Sequence, residues 1–192
     1  FIDQVAAGLK EALAQAQGKD YRVLFTAHSV PTAADVASGG PVNANLYSRQ
    51  VAEAARLVAE RAGAPDYELV WQSRSGNPAT PWLEPDVVDR AEALADANVQ
   101  HLICVPIGFI TDHMEVVWDL DTELQHACDN RGVTLDRVAT VGLTEEFASM
   151  VVDIAEAVAR GEQPASLSTL TVQGCTRNGA PCCEGCCEPR KR

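Results

Sequence analysis

The chain has 192 residues, 46% of them hydrophobic, and a formal net charge of −12 at pH 7. That length suits one domain with a real core, and the acidic balance, with no Lys/Arg block outside the last three residues, excludes nucleic acid as the expected partner. No apolar run is long enough to span a bilayer and no secretory signal opens the chain, so the expectation is a soluble, cytoplasmic protein.

The chain begins at Phe1, inside a helical pattern that puts Phe1, Ile2, Val5, Leu9 and Leu13 on one face, and an N-terminal part is expected to precede it. Strand and helix then alternate. Strands are predicted over Tyr21 to Thr26, Tyr67 to Gln72, His101 to Ile107 and Leu135 to Val141. Helices are predicted over Asn43 to Ala62, Pro85 to Ala97 (with Pro85 in the first turn), Met114 to Asn130, and Thr144 to about Arg160. Strict alternation of this kind implies right-handed crossovers and a Rossmann-like, doubly wound, parallel four-stranded α/β sheet covered on both faces. Ligands of such sheets sit beyond the carboxyl ends of the strands. The expected organisation is one α/β domain over residues 1–162 and a Cys-rich tail over residues 163–192.

The first strand runs into Phe25-Thr26-Ala27-His28-Ser29-Val30-Pro31 and a loop with Gly39-Gly40 that is expected to be mobile. His28 reads either as a capped structural residue or as a side chain that takes a proton or ligates a metal near neutral pH. The second strand ends in Trp71-Gln72-Ser73-Arg74, with Trp82 in the loop that follows. Trp82 either packs or walls a flat apolar ligand, and Arg74 either is solvated or pairs with a ligand carboxylate. His101 and His126 look structural.

The stretch from Val105 to Asp119 organises the rest. Gly108 turns the chain out of the third strand, Thr111 or Asp112 caps the next helix, and that helix carries Glu115, Asp119 and Glu123 at i, i+4 and i+8. Four residues turn an α-helix by about 400°, so the three carboxylates fall close to one stripe. Like charges at that spacing repel. The row is therefore either a solvated acidic face or a ladder that passes a cation or protons, since hard cations take oxygen ligands. Because His28 and Glu115 both lie at carboxyl ends of parallel strands, they can face one cleft.

Three segments in this order resemble the ferrochelatase family: Leu24-Phe25-Thr26-Ala27-His28-Ser29-Val30-Pro31, then Trp71-Gln72-Ser73 with Pro81-Trp82-Leu83-Glu84-Pro85, then Pro106-Ile107-Gly108-Phe109-Ile110-Thr111-Asp112-His113-Met114-Glu115-Val116. The resemblance covers roughly Tyr21 to Arg160. It implies a chelatase-type fold in which this chain is the C-terminal one of two similar domains, with a porphyrin in the cleft between them and the N-terminal domain lying outside this sequence. It also implies that His28 and Glu115 are the essential active-site pair, that His28, Glu115, Asp119 and Glu123 form the metal path, and that Ser29 and Trp82 contact substrate. The activity implied is insertion of Fe2+, as substrate, into coproporphyrin III or protoporphyrin IX in haem biosynthesis. His28 would act as acceptor of pyrrole protons or as an iron ligand, Glu115 would supply charge, and the loop from Thr32 to Val42 would close over the cleft. Two departures stand out: the gap before Tyr47 is longer than the family pattern, so no role carries over to it, and Glu84 stands where the family commonly has Gly.

The tail holds five of the seven cysteines, Cys175, Cys182, Cys183, Cys186 and Cys187. Such density in a cytoplasmic chain argues for metal or cluster ligation over disulfides. An iron–sulfur cluster, tetrahedral zinc and an unmetallated thiol-rich tail are the candidates. The resemblance favours a [2Fe–2S] cluster without assigning its four ligands. Cys104 and Cys128 read as packing residues. Outside ferrochelatase activity, two functions fit the same residues: another tetrapyrrole chelatase of the sirohydrochlorin cobalt chelatase kind, or a porphyrin- or iron-binding module without turnover.

Overall fold

Runs of buried aliphatic residues fit strands covered on both faces, and four of them form the sheet. The computed structural model describes residues 1–39, 44–64, 66–162, 165–168 and 170. The strands are β1 (Tyr21–His28), β2 (Tyr67–Gln72), β3 (His101–Val105) and β4 (Thr134–Arg137), all parallel in the order β2-β1-β3-β4. The expected doubly wound α/β sheet is therefore present. The helices are α1 (Ile2–Gln15), α2 (Thr32–Ala37), α3 (Leu46–Ala62), α4 (Val87–Asp96), α5 (Met114–Trp118), α6 (Gln125–Arg131) and α7 (Glu145–Ala159). No helix among the described residues is long and apolar enough to cross a membrane.

Side chains on β1 alternate between two apolar layers. Val23, Phe25 and Ala27 join Val5, Leu9, Val51, Ala55 and Val58 of α1 and α3 on one face. Leu24 joins Val87, Ala91 and Leu94 of α4 with Val116, Leu120 and Leu124 on the other. Thr26 and His28 follow Leu24 in that alternation, so the last residue of β1 points to the side that carries α5.

Several boundaries differ from expectation, each for a local reason. β1 runs to His28, which makes the imidazole part of the strand and pairs it in register with Gln72. β3 stops at Val105 because Pro106 has no N–H for the ladder, and Ile107 N–H turns back onto Val105 O at 2.8 Å. β4 ends at Arg137, one residue before Val138 N–H makes the last bond to β3, to Cys104 O at 2.9 Å. Pro85 lies before α4, whose cap is Asp86, with Oδ1 accepting from Val88 N–H at 2.8 Å.

Part of the expected loop from Thr32 to Val42 is helix. Asp35 is buried, and its carboxylate accepts from Ser48 N–H (3.0 Å), Ser48 Oγ (2.8 Å) and Asn45 Nδ2 (2.8 Å), which ties α2 to the start of α3. A buried carboxylate with three donors anchors Thr32–Ala37 to the start of α3. Residues 40–43, where mobility was expected, lie outside the described residues. At the opposite end of the sheet, buried His101 meets Asp136 Oδ2 through Nε2 at 2.6 Å and Lys19 Nζ through Nδ1 at 3.4 Å. Lys19 can only donate, so Nε2 carries the hydrogen, and the bond fixes the β3–β4 register far from the cleft. The structural role expected for His101 fits this.

Gly108 sits where β1 outruns β3. Its N–H donates to Thr26 O at 3.1 Å, and a Cβ there would lie 2.5 Å from Ala27 Cβ and 2.8 Å from Ala27 Cα. Only glycine lets the loop lie flat on β1. Gly108→Ala should therefore cost the full-length protein about 1–3 kcal/mol of stability through overpacking, read as a lower denaturant midpoint. A midpoint equal to wild type would refute the tight fit.

Candidate functional site

The carboxyl ends of β1, β2 and β3 converge on His28, and its imidazole is fixed from behind. Nδ1 lies 2.5 Å from Ser29 O. A carbonyl only accepts, so Nδ1 carries the hydrogen and the ring tautomer is set. Tyr47 Oη donates to His28 O at 2.6 Å, and the Tyr47 ring packs on Trp71 at a centroid distance of 5.9 Å. Burial first, and the Asp35 carboxylate second, push the Tyr47 phenol up from its ordinary value, which keeps it a donor. Tyr47 thus braces His28 through its backbone.

In front of the ring stands Glu115. Its Oε2 is 3.6 Å from His28 Nε2, with the two side chains 55% and 34% exposed respectively. With hydrogen on Nδ1, a neutral ring turns the Nε2 lone pair toward a carboxylate, which is repulsive unless positive charge lies between them. The cap of α5 is His113 rather than Thr111 or Asp112: its Nδ1 accepts from Glu115 N–H at 3.2 Å, and its ring packs on Phe109 at 5.3 Å. His113 is a site neighbour that sequence spacing did not single out.

The expected continuous helix from Met114 to Asn130 contains a π-helical turn at Asp119–Leu124, between α5 and α6. Such turns take one extra residue; Asp119 N–H still bonds Glu115 O, so the α-helical step from Glu115 to Asp119 holds and the extra residue falls between Asp119 and Glu123. Thr122 Oγ1 bonds Val117 O, five residues back, at 3.4 Å. Asp119 is drawn to the end of β2, where Oδ2 accepts from Gln72 Nε2 at 3.2 Å and from Ser73 Oγ. Gln72, itself buried, accepts from Thr26 Oγ1 at 2.9 Å. Asp119 and Glu123 line a cavity of about 100 Å³ with Asp86, Gln72 and Ser73, while Glu115 pairs with His28. Two acidic stations lie along the segment, Glu115 beside His28 and Asp119 with Glu123. Among the described residues no three His, Cys, Asp or Glu side chains gather closely enough to hold a metal ion unaided.

The remaining expected residues are placed as follows. Ser29 is 1% exposed and its hydroxyl donates to Leu83 O at 2.9 Å, so it holds the loop and has no free face for a substrate. Trp82 is half-buried, its backbone bridges Pro31, and its Nε1 has no hydrogen-bond partner among the described residues. Arg74 is held within its own loop by Glu84 at 3.7 Å and Pro78 O at 3.3 Å. Cys104 and Cys128 are buried free thiols, pushed up by burial to about 12 and about 11, which makes them packing residues that do not ionise near neutral pH. Cys175, Cys182, Cys183, Cys186 and Cys187 lie outside the described residues.

The Asp86 carboxyl is raised from its ordinary 3.8, chiefly by burial; its bonds from Val88 and Asp89 N–H pull the other way, and the charges of Asp89 and Asp119 add to the rise. A raised folded-state value means that the folded protein keeps this proton longer than the unfolded one. Its contribution to stability therefore falls as pH climbs from about 3.8 through the folded value. Asn caps a helix about as well as Asp. Asp86→Asn should thus gain thermal midpoint relative to wild type between pH 4 and pH 7, and a constant gap would refute the assignment.

Comparison with known proteins gives the family of the chain. A model of the ferrochelatase family fits residues 1–159. The chain is 46% identical over 194 residues to the coproporphyrin III ferrochelatase of Corynebacterium glutamicum strain R, covering 100% of this chain and 52% of that protein. It is 45% identical over 193 residues to the coproporphyrin III ferrochelatase of Nocardia farcinica, covering 100% of this chain and 54% of that one. The Mycobacterium marinum protein of the same name is 46% identical over 194 residues, with the same two coverages. The chain spans about half the length of the curated relatives it matches. By the extent of the family match, the chain belongs to the ferrochelatase family.

Proposed function

We propose that this chain is the metal-inserting half of an enzyme that places Fe2+ in a porphyrin during haem biosynthesis, with coproporphyrin III, the porphyrin in the relatives' names, as substrate. The observation that carries the reading is the 3.6 Å approach of Glu115 to the Nε2 of a His28 whose other nitrogen is already committed. Insertion of Fe2+ releases two pyrrole N–H protons, so the site needs a base and a negative counter-charge on one side of the macrocycle. His28 accepts a pyrrole proton at Nε2, and Glu115 stabilises the imidazolium or the incoming cation. Asp119 and Glu123, one station further out beside Asp86, relay iron or protons. Trp82 walls the cleft.

The rest of the relatives' length supplies a second domain in this reading, opposite the strand ends. The long apolar surface of α7 suits that partner: Val151, Val152, Ile154 and Val158 are all exposed, and none of the helix is buried. A cytoplasmic setting keeps Cys104 and Cys128 reduced. The donor set of the tail, five cysteines within residues 175–187, fits a [2Fe–2S] cluster held by four thiolates, all from the tail or one from the half of the relatives' length outside this chain, and the two inert buried thiols take no part. The cluster would supply a structural or sensing centre, and no step of insertion passes through it.

His28→Ala in the full-length protein should abolish iron insertion, with a loss of at least about a hundredfold in kcat for removal of a positioned base, while porphyrin titration still shows binding. Glu115→Gln should fall nearly as far. Near-normal turnover of either variant would overturn the pair. Separately, full-length protein purified without oxygen should be brown with about two irons per chain. Replacing Cys182, Cys183, Cys186 and Cys187 by Ser should bleach it, and colourless protein with stoichiometric zinc would reject the cluster.

A further inference from the structure

Arg137 closes β4 and lies outside the His28–Glu115 pair, yet its side chain is only 18% exposed and serves two carboxylates at once. Nε and Nη2 meet Asp121, the latter at 3.1 Å; Nη1 and Nη2 meet Asp112 at 3.2 and 3.1 Å. Asp112 stands immediately before the cap of α5, and Asp121 stands inside the π-helical turn. Between these anchors lie Glu115 and Asp119. One guanidinium therefore ties together the two ends of the segment that carries Glu115 and Asp119.

The need for such a tie follows from charge. Asp112, Glu115, Asp119, Asp121 and Glu123 crowd one short stretch, and their mutual repulsion favours a splayed segment. A short α-helix and a π turn contribute little stability of their own. The planar fork of arginine can meet two carboxylates bidentately; the ammonium of lysine cannot. The chain beyond β4 grips the same loop a second time: Gly142 N–H donates to Ile110 O at 2.7 Å, and a Cβ on Gly142 would lie 2.2 Å from Thr111 Cγ2. β4 and its exit thus hold the loop from both sides.

We propose that Arg137 is a positioning residue for Glu115: by clamping Asp112 to Asp121 it sets the approach of Glu115 to His28 and keeps the intervening turn closed. The inference rests on the reading of Glu115 as part of an iron-insertion centre only for its kinetic consequence; the mechanical part stands on geometry. The test uses full-length wild type, Arg137→Gln, Arg137→Lys and Asp121→Asn, followed by amide hydrogen exchange and by turnover against Fe2+ concentration. Arg137→Gln should speed exchange at least tenfold for amides 113–124, with those of β1 and β3 unchanged, and should raise the KM for Fe2+ several-fold. Arg137→Lys should recover less than half of either effect. Asp121→Asn, which cuts one arm of the clamp and leaves the sheet alone, should reproduce the local exchange if Arg137→Gln fails to fold. Exchange that rises uniformly across the sheet, or wild-type exchange and KM in both Arg137→Gln and Asp121→Asn, would overturn the proposal. Wild-type protein without iron insertion would instead reject the functional reading, and the exchange pattern would still decide the clamp.

Discussion

The site depends on one close approach, that of Gly108 to the end of β1. Because β3 stops at Val105 while β1 continues to His28, the chain leaving β3 must cross the exposed end of its neighbour. It can do so only by laying backbone against Ala27, with Gly108 N–H on Thr26 O. That crossing delivers α5, and Glu115 in its first turn, to the face on which His28 emerges. A side chain at Gly108 would lift the loop and separate the pair, with no change to either functional group.

His28 is constrained in a complementary way. Its Nδ1 is committed to Ser29 O and its carbonyl to Tyr47, while buried Asp35 anchors the α2–α3 junction from which Tyr47 projects. The freedom that remains is electrostatic, confined to what occupies the space between Nε2 and Glu115. Rigid support behind the imidazole, with a carboxylate in front of it, is the geometry on which the proposed metal-inserting role rests. The acidic composition of the chain is thereby put to local use, since Asp86, Asp119 and Glu123 extend negative potential outward from the pair.

Much of this could be read from residues alone, and what could not be read has a common cause. Strand and helix alternation placed His28 and Glu115 at adjacent strand ends because residue order fixes topology when crossovers are right-handed. The end of β3 was missed: the expected strand followed the apolar run to Ile107, and Pro106, which lacks an N–H, ends it at Val105. The π turn was not legible. Its sequence is compatible with an α-helix, and its distinguishing bonds run from Asp119 to Gln72 and Ser73, and from Asp121 to Arg137, all remote in the chain. The same holds for α2, whose stability comes from Asn45 and Ser48, and for the burial of Ser29, which depends on Leu83 O. Periodicity reports which face of an element is buried. It does not report which distant polar group will pull on a particular side chain.

An open sheet has two bare flanks, and here both are blunted. At β4 the flank is only four residues long, and two of those, Asp136 and Arg137, are tied into ion pairs. At β2 the upper end is already occupied, since Trp71 N–H is taken by Pro85 O and the backbone of Asp86 bridges it in parallel. Another molecule seeking to add a strand would find too few free amides on either side. The short β4 flank and the backbone ties at the end of β2 therefore also discourage intermolecular β-pairing, and Arg137 serves both the flank and the acidic segment.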